Sequence, residues 1–286
     1  MSGSRRGFTL IELLISLVVV AIVGSSLIRL MLSQNRFMDQ QEAVRTSRAV
    51  ARSGLNRLYA DMRNVEAVSG VEAAAAGGKD FTLRVPYAFG VMCSTSGGNA
   101  ATVTLLPADS AMFFAPGFSG FAWRDANGVY QYQGTATLNT AGTTANCTAA
   151  AVKTVGTYNG SPAGRVVNLT GTLSSTPTVG TVFFLYRRVR YEFKASNLVA
   201  GRVGLWRTPL SGGTAEELAA PFDTTARVNF YVNYATTAQS AVPASLSTIR
   251  GLELQLDGQS DLAPKGYASP KVTSLTTSMF FSNRPD

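Results

Sequence analysis

SRRGFTLIELLISLVVVAIVGSSL, residues Ser4 to Leu27, decides how the rest of the chain is read. A short basic leader ends at Gly7, and an apolar run begins at Phe8. From Phe8 to Ile28 there are 21 residues carrying one charge, Glu12. At 1.5 Å per residue a helix of that length spans about 31 Å, which matches a hydrocarbon layer of roughly 30 Å. No proline interrupts it, so a membrane-spanning helix is predicted. Arg5 and Arg6 precede the run and would hold the N-terminus on the cytoplasmic side, with the bulk of the chain across the membrane.

Three simpler readings fit less well. A secretory signal peptide has an apolar region of about 7–15 residues followed by a small-x-small cleavage site; this run is longer, and the helical pattern continues past it. Ser4-Arg5-Arg6-Gly7-Phe8 resembles a twin-arginine address, but such signals have only moderately apolar cores. A plain single-helix anchor gives no reason for an acid that costs about 2.5–3.5 kcal/mol at mid-bilayer.

Arg6-Gly7-Phe8-Thr9-Leu10-Ile11-Glu12-Leu13-Leu14 resembles, over nine consecutive positions, the processing site of type IV pilins and type II secretion pseudopilins. The resemblance implies that a prepilin peptidase cuts between Gly7 and Phe8 and that the new N-terminal Phe8 is N-methylated. It also makes Glu12 the fifth residue of the mature chain. In such proteins that glutamate is thought to meet the N-terminal amine of a neighbouring subunit in a filament. The chemistry is reasonable, because a charge buried in lipid is expensive alone and tolerable when paired. Glu12 is therefore expected to be an assembly contact without a catalytic role. The further partners implied are other pilins or pseudopilins through the N-terminal helix, the inner membrane and its assembly platform.

Loss of the leader removes Arg5 and Arg6 and lowers the net charge from +8 to +6. No basic stripe interleaved with aromatics accompanies that charge, so nucleic acid is not the favoured partner. The chain has no histidine. That removes the commonest general base and the commonest metal ligand. There is neither a GxxxxGK nor a GxGxxG motif. A structural protein is expected rather than an enzyme, with no cofactor and no metal. Asp257-Gly258-Gln259-Ser260-Asp261 lacks the acid spacing of a calcium loop and is read as an acidic turn. Cys93 and Cys147 both fall in the exported part, where an oxidising compartment favours a disulfide. Two unpaired buried thiols are the alternative.

The helix is expected to run past the membrane. Leu30, Phe37, Val44, Ala51, Leu58 and Val65 recur every seventh residue, and beyond Ala51 Leu55 and Met62 add a second line with Tyr59 beside it. A stripe that widens in this way reads as a helix whose far half docks on a core. The expected organisation is leader 1–7, transmembrane half 8–28, amphipathic half 29–72 and a β-rich head 73–286. Ala73 to Gly78 would end the helical stretch. Arg29 and Arg36 lie just beyond the apolar run; they would either snorkel to headgroups or meet a neighbour's acid.

In the head, Phe81–Val85 reads as a strand and Phe121–Gln133 as a hairpin around a two-residue Asn127-Gly128 turn. Residues 88–180 are rich in Gly, Ala, Thr and Ser and read as loops and edge strands, an insertion clipped by the cysteines. Alternation then predicts strands at Val182–Lys194, Val203–Arg207, Val228–Tyr234, Leu252–Leu256 and Ser274–Ser282. One long helix followed by hairpin-linked strands implies an α+β fold with an antiparallel sheet packed on the helix. Trp123 and Trp206 are assigned to the core. Arg190-Tyr191-Glu192-Phe193, Leu205-Trp206-Arg207, Leu218-Ala219, Val228-Asn229-Phe230-Tyr231 and Phe281-Ser282-Asn283-Arg284 resemble the core pattern of PilW/GspJ-type minor pilins. That resemblance implies a minor pilin that initiates or caps a type IV pilus. The alternatives are a GspJ-like pseudopilin of type II secretion and, from another class, a membrane-anchored DNA-uptake or adhesion component. The implied location is the inner membrane, with the head in the periplasm, and then a filament.

Overall fold

The structure is a computed structural model that describes residues 9–96, 100–114, 117–134, 137–139, 147, 157–158, 161–162, 165–170 and 173–281. Helix α1, Leu10–Met62, is unbroken over 53 residues, about 80 Å of axis. Gly24-Ser25-Ser26, residues that weaken a helix, stay helical; Ser25 and Ser26 each donate their hydroxyl to the Ile22 carbonyl. Its end at Met62 falls short of the expected boundary at 72. The Glu66 carboxylate accepts hydrogen bonds from the backbone N–H groups of Val68 and Ser69, both at 2.8 Å. These local bonds turn the chain where a helix would otherwise continue. Val71–Ala74 then forms strand β1 instead of a last helical turn.

After β1 come β2 (Asp80–Ser96), β3 (Ala100–Leu105), β4 (Gly120–Arg124), β5 (Tyr130–Gln133) and β6 (Thr137–Asn139). The short pair β7 (Thr157–Tyr158) and β8 (Ser161–Pro162) stands apart, followed by β9 (Val166–Thr170). The C-terminal set is β10 (Val182–Ala195), β11 (Val203–Pro209), β12 (Glu216–Phe222), β13 (Arg227–Val232), β14 (Ile249–Gln259) and β15 (Val272–Phe280). The main sheet runs β13-β14-β12-β11-β10-β2-β3-β9-β6, with β1 on β2, β15 on β14 and the β4–β5 hairpin on β10. Every pairing is antiparallel, which is the α+β architecture that the alternating pattern predicts.

The helix docks through Ala43, Ser47, Ala51, Gly54, Leu58 and Met62. These positions follow the three-and-four spacing of one helix face. Small side chains at its first four positions bring the helix backbone onto the sheet. A Cβ on Gly258 of β14 would meet the Ser47 carbonyl oxygen at 2.1 Å, and one on Gly54 would meet the Phe222 ring at 2.9 Å. Leu58, Met62 and Val65 then enter a core with Leu205, Phe222, Phe230, Leu252, Leu254 and Leu256. Tyr59, expected beside the seam, is instead 53% exposed.

Residues 88–180 depart most from expectation. They are not merely loops on a finished domain, because Ala88, Met92, Val103, Leu105, Phe121, Trp123, Val167 and Leu169 build a second core with Phe183 and Leu185. The hairpin turn also differs. Gly128 donates its N–H to the Asp125 carbonyl, and Asp125 Oδ1 accepts from the N–H groups of Asn127 and Val129. Gly128 sits at φ +78°. The result is a three-residue loop of the turn-plus-bulge kind, with Asp125 supplying the bonds that a two-residue turn would not need. Strand β12 was not anticipated, since Pro221 within it argues against a strand. Phe281 closes the described chain; the expected continuation through Ser282, Asn283 and Arg284 lies outside the described residues.

Candidate assembly interface

Among the described residues one helix is long and apolar enough to cross a membrane, and its apolar window is wholly uncovered by the head. Leu10 is 83% exposed and Val20 70%. A continuous apolar surface of this size on a folded molecule calls for lipid or other protein around it. The processing positions Gly7 and Phe8 lie outside the described residues.

Glu12 stands in the first turn of α1 and is exposed. Thr9 caps the helix: Glu12 donates its backbone N–H to the Thr9 hydroxyl at 3.4 Å, and the Thr9 N–H and hydroxyl each donate to Glu12 Oε2 at 3.2 Å. This reciprocal capping box satisfies amide donors that no helical carbonyl can reach. An acid here also faces the positive end of the helix dipole. Glu12 thus has a local function within the monomer that its sequence position had not suggested. Its side-chain bonds among the described residues are to Thr9, so one of its oxygens is left for a cation from outside.

Where the helix meets the head, a side-chain cluster fixes its far end. Tyr191 donates its hydroxyl to Asp61 Oδ2, and Arg207 Nε donates to the same oxygen at 2.9 Å. Burial raises the Tyr191 phenol well above its ordinary range, and the Asp61 charge adds to this, so Tyr191 acts as a donor at any physiological pH. Nearer the apolar end of the helix the turn Pro264–Tyr267 lies against α1. Tyr267 donates its N–H to the Pro264 carbonyl at 3.0 Å, and its hydroxyl accepts from Gln40 Nε2. Gly266 takes φ +88°, in keeping with the third position of a type II turn.

Cys93 of β2 and Cys147 are joined by a disulfide, with their Cα atoms 4.7 Å apart. Both are buried against Val91 and Val166. The acidic stretch 257–261 is not a turn, because β14 continues through Gln259. Burial opposes ionisation of Asp257, but hydrogen bonds from Ser274, Thr225 and Gln255 outweigh it and hold the carboxyl below its usual range. The oxygens are occupied by these donors. Among the described residues no three acids or cysteines gather as a metal site. Trp123 and Trp206 are both buried, and Trp206 Nε1 donates to the Ala195 carbonyl at 3.1 Å.

Residues 3–28 match the prokaryotic N-terminal methylation motif. That motif is the prepilin signal of type IV pilin-like proteins and pseudopilins, and here it opens a chain built of a long apolar-tipped helix and a β head. Such a signal implies cleavage by prepilin peptidase and assembly with other pilins. No curated protein and no solved structure matches the chain. The motif was legible from the residues alone; the small-residue docking stripe, the Asp61 cluster and the 264–267 turn were not.

Proposed function

We propose that this protein is a minor pilin, a structural subunit that helps to initiate or cap a type IV pilus. The observation that carries the reading is the motif at residues 3–28, with Glu12 five positions after the Gly7–Phe8 bond. In this reading residues 1–7 are removed on the cytoplasmic face and Phe8 is methylated. Residues 8–28 hold the chain in the inner membrane, and the head waits in the periplasm. Assembly then draws the apolar helix out of lipid and into the filament core, where other pilin helices cover it. Glu12 pairs there with the Phe8 amine of a neighbour. No catalytic turnover is involved.

The pseudopilin alternative shares every one of these features. The long 88–180 region, which exceeds what a GspJ-like subunit usually carries, favours the pilus. Two measurements test the reading. Protein recovered from native membranes should begin at methylated Phe8; an intact Met1 in cells with active prepilin peptidase would refute it. Deletion should abolish twitching motility and spare protein secretion, while the reverse result would assign the chain to type II secretion.

A further inference from the structure

We infer that the cleft between α1 and the Pro264–Tyr267 turn is a binding site for the phosphate headgroup of a lipid in the outer leaflet. The inference rests on the reading of α1 as a membrane anchor, and depth is its first support. The exposed apolar surface of the helix continues through Leu30, Met31 and Leu32. Arg36 lies eight residues past Ile28, where the 21-residue span ends, about 12 Å along the axis, and helical side chains lean back toward the N-terminal, membrane end. Headgroup layers add about 5–8 Å to each side of the hydrocarbon. The Arg36 guanidinium and the Lys265 ammonium, at the ends of long side chains, can therefore reach back to the headgroups while the chain is in the membrane.

Chemistry is the second support. The cleft holds about 310 Å³ and is walled by Arg36, Gln40 and Ser33 from the helix and by Lys265, Gly266 and Tyr267 from the turn. Arg36 makes no ion pair among the described residues. The Lys265 ammonium is 3.8 Å from Asp39 Oδ2, a loose contact for a side chain 81% exposed. The cleft itself is lined by two cations and no acid, while Asp39, Glu42 and Asp261 line the adjoining hollow on the other side of Lys265. The guanidinium offers the planar fork suited to phosphate oxygens. Ser33 and Gln40 add neutral hydrogen-bonding groups. Phe37, 61% exposed, also lines the cleft and offers it an apolar surface.

The geometry is also prepared in advance. Gly266 brings the turn backbone close enough that a Cβ there would meet Arg36 Nε at 3.7 Å. The Tyr267 ring is tied to the helix through Gln40, and a tyrosine at this depth suits the interface between lipid and water. The head is thereby held in a fixed orientation on the bilayer before assembly, and the lipid is released when the helix leaves the membrane.

The test uses the full chain in proteoliposomes. Cys93 and Cys147 are bonded to each other, so a single added thiol takes a spin label. Ala268→Cys is exposed and outside the cleft, and Val18→Cys reports the anchor. In phosphatidylglycerol vesicles the 268 label should be immobilised and should collide with a nickel-chelating lipid several-fold more than with an aqueous relaxant. Arg36→Gln with Lys265→Gln should abolish that preference while leaving the 18 label in hydrocarbon. Vesicles of a phosphate-free glycolipid should abolish it too. Recovery there on adding inorganic phosphate would mean that free phosphate, not lipid, is the ligand, and would overturn the assignment. An aqueous 268 label alongside a lipid-embedded 18 label overturns it independently. An aqueous 18 label refutes the anchor reading and the lipid site with it.

Discussion

Glu12 answers two demands that mutation can separate. As the acid of a capping box it satisfies the Thr9 amide; as a charge it would, in the function proposed, meet a neighbour's amine in a filament. A helix N-cap is worth about 1 kcal/mol, and glutamine serves the box almost as well as glutamate. Glu12→Leu should leave processing and insertion intact and reduce the share of protein in sheared filaments. Glu12→Gln should reduce it just as far if charge pairing is what matters. Incorporation of the glutamine variant at the wild-type level would show that the residue acts through helix capping alone. Glu66 poses a different question. Burial raises its carboxyl above the ordinary value of 4.5, with partial relief from the Val68 and Ser69 amides and Arg250. The folded state then holds the proton more tightly than the unfolded state, so this group's contribution to stability declines as pH rises through the window above 4.5. Measured as the gap in unfolding midpoint between the wild type and Glu66→Gln in detergent, stability should favour the wild type less at pH 7 than at pH 4.5. A gap that widens with pH would contradict the assignment.

At the scale of the element, the contact of α1 with Gly258 of β14 is made by backbone, beside the core in which Leu58 and Met62 join Leu252, Leu254 and Leu256. A Cβ on Gly258 would fall 2.1 Å from the Ser47 carbonyl oxygen and 3.0 Å from the Ala51 nitrogen. Neither partner is a flexible side-chain end, so helix or strand must move. Gly258→Ala should destabilise by about 1–3 kcal/mol, the usual range for overpacking, and Gly258→Val by more. Thermal unfolding of the detergent-solubilised chain measures this; an unchanged midpoint would mean that the helix rides higher on the sheet than described. The same contact explains what the residues revealed beforehand. Leu58 and Met62 are large and apolar at helical spacing, so their docking could be read directly. Ala43, Ser47 and Gly54 carry almost no hydrophobic signal, and their value lies in letting two backbones approach. The strands β10, β13 and β14 alternate clearly in sequence, since one face of each joins the core that Leu58 and Met62 enter. Strand β12 was hidden by Pro221 and by the small residues Ala219 and Ala220. In β3 the alternation of Thr102 and Thr104 with Val103 and Leu105 is short, and its meaning depends on a distant partner, β9. The candidate site divides similarly. Gly7, Phe8 and Glu12 are consecutive enough to read as a motif, whereas Arg36 and Lys265 meet only through the fold.

For the molecule as a whole, α1 belongs to two environments, and the boundary between them predicts what can be cut away. Among the described residues the apolar window of the helix, upstream of Arg36, is not covered by the head. From Ala43 to Met62 it covers the sheet, and Gly54 lies on Phe222 and Leu205. Burying a side chain the size of Leu58 or Met62 is worth about 1.5–3 kcal/mol, and losing the helix would also expose the residues beneath it. A head stabilised by the usual 5–15 kcal/mol cannot absorb the loss of several such contacts together with the Asp61–Arg207 and Asp61–Tyr191 bonds. Residues 36–286 should therefore be soluble, run as a single species on size exclusion without detergent, and unfold near the midpoint of the full chain. Residues 63–286 should aggregate or lose the near-ultraviolet signal of the packed aromatics. If the shorter fragment instead keeps that signal and stays soluble, the helix is an attachment to a self-sufficient sheet, and the docking stripe contributes far less to folding than its burial indicates.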